Sequence, residues 1–387
     1  VKSPKPAKPT LVRFKSEPSW PIKSSRASAF VTRTGGQVGP VTFMLDGRKI
    51  SPMHVAPWAG ERPRPTPEMI AVLRGDFFCM PFGGNDKPYR GERYPAHGET
   101  ANSKWKFESL DDAGGPTLHL SLRTVARAGR VDKYIHLRDG HAAVYSRHVI
   151  SQMRGPMCIG QHAMLDFPDQ PGSGLIATSP TKFMQTFPGQ FERPEQGGYT
   201  LLEPGRDFRR LDAVPISTGG TVDLSAYPTR RGFEELVMLA SVDDGPLAWT
   251  AVTFPSQRFV WFALKDPRVL HSTVLWFSNG GRHYAPWSSR HINVMGLEEV
   301  TANFHFGLAE SAAPNNISRR GHPTCVQLRP DRPLVVNYIF GIAAIPAGFG
   351  RVSRLDPDNG HIVLRDSNGR TARAPIDVGY LSGSPAR

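Results

Sequence analysis

Cysteine is scarce in this chain: Cys79, Cys158 and Cys325 are the three it has in 387 residues. An odd number without metal-ligand spacing excludes a fully paired disulfide framework and a cysteine-based zinc site, so buried free thiols are expected. A cytoplasmic, reducing setting is favoured on that ground, while a start at Val1 leaves a secreted or periplasmic one open. Long apolar runs are missing as well. Nothing reaches the roughly 18 residues that a membrane helix needs, so no membrane partner is expected. Nucleophile motifs are absent: Gly172-Ser173-Gly174 lacks the spacing of a nucleophile elbow. Gly35-Gly36 and Gly219-Gly220 open no helical pattern and are turn glycines, not phosphate loops.

Glycine and proline, by contrast, are plentiful, at 38 and 36. With short alternating apolar runs between them, they point to many strands and many turns. The formal charge is +13, from 47 Lys and Arg against 34 Asp and Glu. The arginines are spread along the chain and no nucleic-acid reading motif accompanies them, so no nucleic-acid partner is expected. A small anionic partner held by local arginines fits that charge better.

Residues 1–24 combine Lys2, Lys5, Lys8, Lys15 and Lys23 with five prolines and read as a basic, extended arm, with packing across a sheet or a neighbouring subunit as the alternative. From residue 25 to 387 no repeat or composition break divides the chain. Alternation and turn residues predict strands at 29–32, 41–45, 117–125, 134–137, 142–150, 236–242, 249–254, 259–264, 273–277, 292–297, 334–340, 350–355 and 361–364. Residues 68–73 read as a short helix, and 166–232 as irregular, functional surface. The economical fold class is all-β: one large antiparallel β-sandwich.

Three polar islands interrupt this pattern: Tyr94-Pro95-Ala96-His97-Gly98-Glu99, Gly160-Gln161-His162 and Met295-Gly296-Leu297-Glu298-Glu299. Two imidazoles and a carboxylate suffice to move a proton from one oxygen to another. Glu298 ends an apolar strand, where an unpartnered carboxylate is costly to bury. Glu299 competes with it, because neighbouring strand residues face opposite ways. His305 divides evenly between pocket and core, and His283 and His291 read as loop or surface residues. His97 and Glu99 have same-face strand spacing that, with His162 or His305, could hold a divalent ion; no tight ligand pattern supports it, and no metal is expected.

The order His, His, Glu resembles the aldose 1-epimerase (galactose mutarotase-like) family. Phe82-Gly83-Gly84-Asn85 through His97-Gly98 to Trp105 looks like its Gly-rich loop, His-Gly and Trp. His148 through Pro156 to His162 looks like its strand, proline and His, with Leu165-Asp166-Phe167 after it. Trp287 through Val294 to Glu298 looks like the strand that ends in its Glu, with Asn303 beyond. The resemblance implies a mutarotase-like super-sandwich that interconverts sugar anomers, with Glu298 as base, His162 as acid and His97 as their partner. It implies no cofactor, and Trp105 or Trp287 stacked on the sugar. The family's Arg has Arg90 and Arg93 as candidate counterparts. Its substrate-binding Asp is replaced by Glu234 or Glu235, with Asp243-Asp244 a second option. Arg90 and Arg93, with Arg282 and Arg290, raise the expectation of a phosphorylated or acidic sugar. A non-catalytic carbohydrate-binding protein on the same fold is the alternative.

Overall fold

The computed structural model describes residues 10–383. Its architecture follows from the dominance of alternating strands. Two large antiparallel sheets face each other. The first has nine strands, ordered 226–227, 174–178, 248–254, 259–265, 334–344, 143–151, 129–137, 117–124 and 106–111. The second has seven, ordered 207–208, 181–186, 233–241, 272–279, 294–301, 159–166 and 78–79.

Period-two alternation decides what each face meets. In Phe259–Lys265, Phe259, Trp261 and Ala263 join the main core between the sheets, while Val260, Phe262 and Leu264 point outward. That outward face would be wet in a simple sandwich. Here a three-stranded sheet, Val352–Asp358, His361–Asp366 and Thr371–Pro375, covers it and builds a second core around Phe349, Ile362 and Leu364. A five-stranded sheet begins with Val12–Phe14 and Glu17–Lys23, and its Phe43 meets Phe340 edge-on. Residues 12–23, read from sequence as an arm, are therefore strands: Trp20 and Ile22 carry an apolar face that the lysine count concealed. Residues 1–9 of that expected arm lie outside the described residues. The stretch 166–232 likewise contains the strands Gly174–Thr178 and Thr181–Thr186 besides its loops.

The seven-stranded sheet carries the site. Every residue of Ser272–Asn279 and Val294–Thr301 is buried, so both faces of its centre are covered. One face meets the nine-stranded sheet. The other is roofed by residues 66–73, by residues 96–97 and by the loop that leads from strand 272–279 to strand 294–301.

Candidate active site

The cleft under that roof has a volume of about 320 Å³, at the small end of ligand pockets. His162 and Glu298 are direct cross-strand neighbours in the register of Ile159–Asp166 with Val294–Thr301. Directly opposed residues share a face, so both side chains enter the cleft. His162 Nε2 lies 3.2 Å from Glu298 Oε1. Gly296 makes the room: a Cβ there would sit 2.7 Å from Glu298 Oε1 and 3.2 Å from the Trp276 side chain.

His97 arrives from the roof. It adopts the left-handed conformation, φ 58°, just before the short helix Gly98–Asn102. Its N–H donates to the Gly83 carbonyl at 2.7 Å, and Gly98 must be glycine, since a Cβ there would come within 1.9 Å of the Met80 oxygen. A non-glycine residue in this region carries a conformational cost that such tethering must override. The His97 ring stands 5.0 Å from that of His162 and 5.2 Å from that of His305, so three imidazoles cluster. Phe77 stacks under His162 at 4.6 Å.

Burial governs the protonation of this group. It pushes the Glu298 carboxyl well above the ordinary range, against the pull of Arg282. It holds His162 down to about 3, with His305 adding to the effect, and His305 itself down to about 4. His97 is depressed by burial first, then by the neighbouring His162, His305 and Arg282. An ion pair at 3.2 Å would shift both partners the other way, but desolvation outweighs a single contact here. The His162–Glu298 pair thus holds one proton, resting on the carboxyl, and belongs to the pair as a unit.

Arg282 forms part of the wall. Its guanidinium carbon lies 4.5 Å over Trp287 and 5.2 Å over Trp276, and its Nε donates to Glu192 Oε1 at 2.6 Å. Tyr284 donates to the other Glu192 oxygen at 3.2 Å. Behind them Glu234 accepts from Trp276 Nε1 at 2.9 Å, Ser278 Oγ at 3.0 Å and the Gly281 N–H at 3.1 Å.

The remaining sequence candidates fall on both sides of this boundary. Trp287 and His305 line the cleft with His97, His162 and Glu298. Trp105 does not: it is 1 % exposed, donates to the Thr100 carbonyl at 3.0 Å and packs under the Lys133 ammonium, because its strand end points inward. Glu234 stands one layer back. Glu235 points to the opposite face and accepts from Thr200 Oγ1 and the Leu201 N–H, each at 2.7 Å. Arg90 and Arg93 are exposed and outside the lining. Arg290 is spent on Glu61 at 2.6 Å, and Asp243 on Lys182 at 2.7 Å. Glu299 faces the other sheet, 2.5 Å from Lys265. Glu99 caps the 125–126 backbone rather than joining His97. His291, expected in a loop at the surface, is buried, stacked on Trp276 at 5.3 Å and bonded to Ser278 Oγ at 2.6 Å. Trp276, Phe191 and Glu192 escaped the sequence reading. Trp276 sits mid-strand like any core residue, and the other two lie in a stretch without periodicity.

No family model matches the chain, and no curated protein does. Solved structures do. The Slr1438 protein of Synechocystis sp. PCC 6803 superposes with a TM-score of 0.54 at 13% identity, covering 87% of this chain and 98% of that one. A candidate aldose 1-epimerase of Escherichia coli K12 gives 0.54 at 13%, over 84% and 99% of the two chains. A galactose mutarotase related enzyme of Lactobacillus acidophilus gives 0.53 at 10%, over 84% and 97%. The latter two are described as aldose 1-epimerase and galactose mutarotase related, and the chain has the fold of these neighbours, the galactose mutarotase-like super-sandwich.

Proposed function

We propose that the protein interconverts the anomers of an aldose or aldose derivative in this cleft. The observation that carries the reading is the 3.2 Å contact of His162 and Glu298, with the His97 ring 5.0 Å from that of His162. Ring opening needs one group to take the proton of the anomeric hydroxyl while another delivers a proton to the ring oxygen. The C1 to ring-oxygen bond then breaks and the free aldehyde forms. Rotation about C1–C2 and closure with the roles exchanged give the other anomer. A pair that shares one proton can supply both steps without a net change in its own charge. Glu298 serves as base and His162 as acid once the proton has crossed their contact. His97 holds the ring-oxygen side of the sugar, and Trp287 and Trp276 meet its apolar face.

Polarimetry of a freshly dissolved anomer tests this. Wild type is expected to accelerate equilibration, and Glu298→Gln or His162→Gln to lose about 10²–10⁴ of that rate. No acceleration over a panel of aldoses would leave the second reading, a protein that binds carbohydrate without turning it over. One observation favours that reading: Glu234, one of the candidate counterparts of the family's substrate-binding Asp, is fully engaged with Trp276, Ser278 and Gly281.

A further inference from the structure

Two features of the cleft are unnecessary for proton transfer, and both bear on what it accepts. The first is charge. Among the described residues Arg282 is the one lysine or arginine in the lining, and Glu192 already lies against it at 2.6 Å, with Glu234 at 4.0 Å. Its positive charge is compensated from within. With the imidazoles neutral and the Glu298 carboxyl protonated, an anionic ligand would meet no net attraction, since Glu192 already holds Arg282. Among the described residues the Arg282 Nη atoms have no hydrogen-bond partner, its Nε carrying the contact to Glu192, so they can donate to an uncharged hydroxyl oxygen.

The second is the composition of the roof. The helix Glu68–Val72 and its flanks present Pro67, Met69, Ile70 and Leu73 to the cleft, and the 284–287 loop adds Pro286 and Trp287. An ordinary hexose carries a hydroxyl or hydroxymethyl on every ring carbon. Against aliphatic side chains that cannot hydrogen-bond, such a group loses its water without replacement. A methyl in its place would be buried at a gain. This wall is held in place: Trp58 Nε1 donates to the Ile70 carbonyl at 2.7 Å, Trp58 meets Trp287 edge-on at 4.8 Å, and Arg290 ties the loop to Glu61.

We infer that the cleft takes an uncharged, partly deoxygenated sugar, one that sets a methyl or methylene group against the Met69, Ile70 and Leu73 wall while its hydroxyls meet Arg282 and the imidazoles. This rests on the sugar-cleft reading above and narrows its substrate class.

Calorimetric titration of matched pairs decides it: D-galactose against D-fucose, D-glucose against 6-deoxy-D-glucose, and D-glucose 6-phosphate as the anionic arm, at low and moderate salt. At least one deoxy sugar is expected to bind about tenfold tighter than its parent, the discrimination that one methyl-sized difference supports in an apolar pocket. The preference should persist at both salts. Ile70→Ser, a half-buried position at the wall, should bring the ratio close to one. Equal binding within each pair overturns the inference, as does tightest binding of the phosphate with loss of affinity on adding salt. Wild-type ratios decide even where the variant does not fold. Binding separates this from catalysis: a deoxy preference without anomer equilibration sinks the proposed reaction alone, and equilibration of parent and deoxy sugars with equal affinities sinks the inference alone.

Discussion

At the scale of single residues, the site depends on small groups as much as on its acid and base. Gly296 leaves the space that the Glu298 carboxylate occupies. Gly296→Ala would put a methyl 2.7 Å from Oε1, at the movable end of a side chain, so the fold can absorb it while the carboxylate cannot stay in place. A displacement near 1 Å of a reacting group costs on the order of 10² in rate. The expected outcome is a drop of about 10- to 100-fold in anomer equilibration with a thermal midpoint close to wild type. Full activity would show that the carboxylate position is not critical. The choice between Glu298 and Glu299 belongs to this scale as well. Alternation says that they face opposite ways, but not which one faces the cleft. The pairing of His162 with Glu298 across the sheet answers that.

At the scale of elements, the two sheets are joined by charge as well as by apolar packing. Lys265 on the nine-stranded sheet reaches Glu299 on the site sheet at 2.5 Å, and Glu299 also accepts from Thr250 Oγ1 at 2.6 Å and Thr273 Oγ1 at 2.7 Å. Both charged side chains are 1 % exposed. Removing one partner strands the other in the core, so Lys265→Met is expected to cost about 3–5 kcal/mol. The double variant Lys265→Met, Glu299→Leu should recover most of that loss, because a buried pair replaced by apolar groups of similar volume is often near neutral. Denaturant unfolding of the four members of the cycle measures it, and additive losses would mean that the pair does not couple the sheets. In the sequence Glu299 competes with Glu298 for the site, and Lys265 carries no signal of its own. Nothing local distinguishes an inter-sheet ion pair from two solvated residues, since the partners are 34 positions apart and meet only when the sheets stack.

At the scale of the whole molecule, buried titratable groups set the response to pH. Nine histidines, His97, His136, His141, His148, His162, His271, His291, His305 and His322, are held below their ordinary range, chiefly by burial. Each stays neutral in the folded chain and takes up a proton on unfolding below about pH 6.5, so each contributes stability that is present above that pH and lost as pH falls toward 4. Four carboxyls act in the opposite sense: Asp76, Glu234 and Glu235 are raised to about 7 and Glu298 is raised well above its ordinary range, chiefly by burial, so the folded state keeps protons that the unfolded chain releases above about pH 4.5. Between pH 6.5 and 4.5 the histidines outnumber these carboxyls, and below about 4.5 the carboxylates held low by partners, Glu92 and Asp132 among them, act in the same sense as the histidines. Stability should therefore fall on mild acidification, with a net uptake of roughly two to four protons on unfolding. Urea midpoints at pH 7, 6 and 5 check this, and a midpoint that holds or rises toward pH 5 contradicts it.

What the sequence determined by itself was whatever depends on near neighbours along the chain. Alternation and turn residues marked most strands of both sheets and the short helix at 68–72. The His-Gly turn at 97–98 and a carboxylate following an apolar run marked the polar centre of the cleft, although Glu298 lies inside the strand Val294–Thr301 rather than at its end. Only the tertiary structure decided what depends on register and on which layer covers which face. It placed Trp276 rather than Trp105 beside the imidazoles and paired Arg282 with Glu192 across 90 positions. It spent Arg290 on Glu61, and folded residues 12–23 into a sheet. The physical reason is common to all of these. The direction of a side chain along a strand is a local property, but its environment is made by segments far away in sequence. The composition of a cleft wall therefore appears only once those segments have packed together.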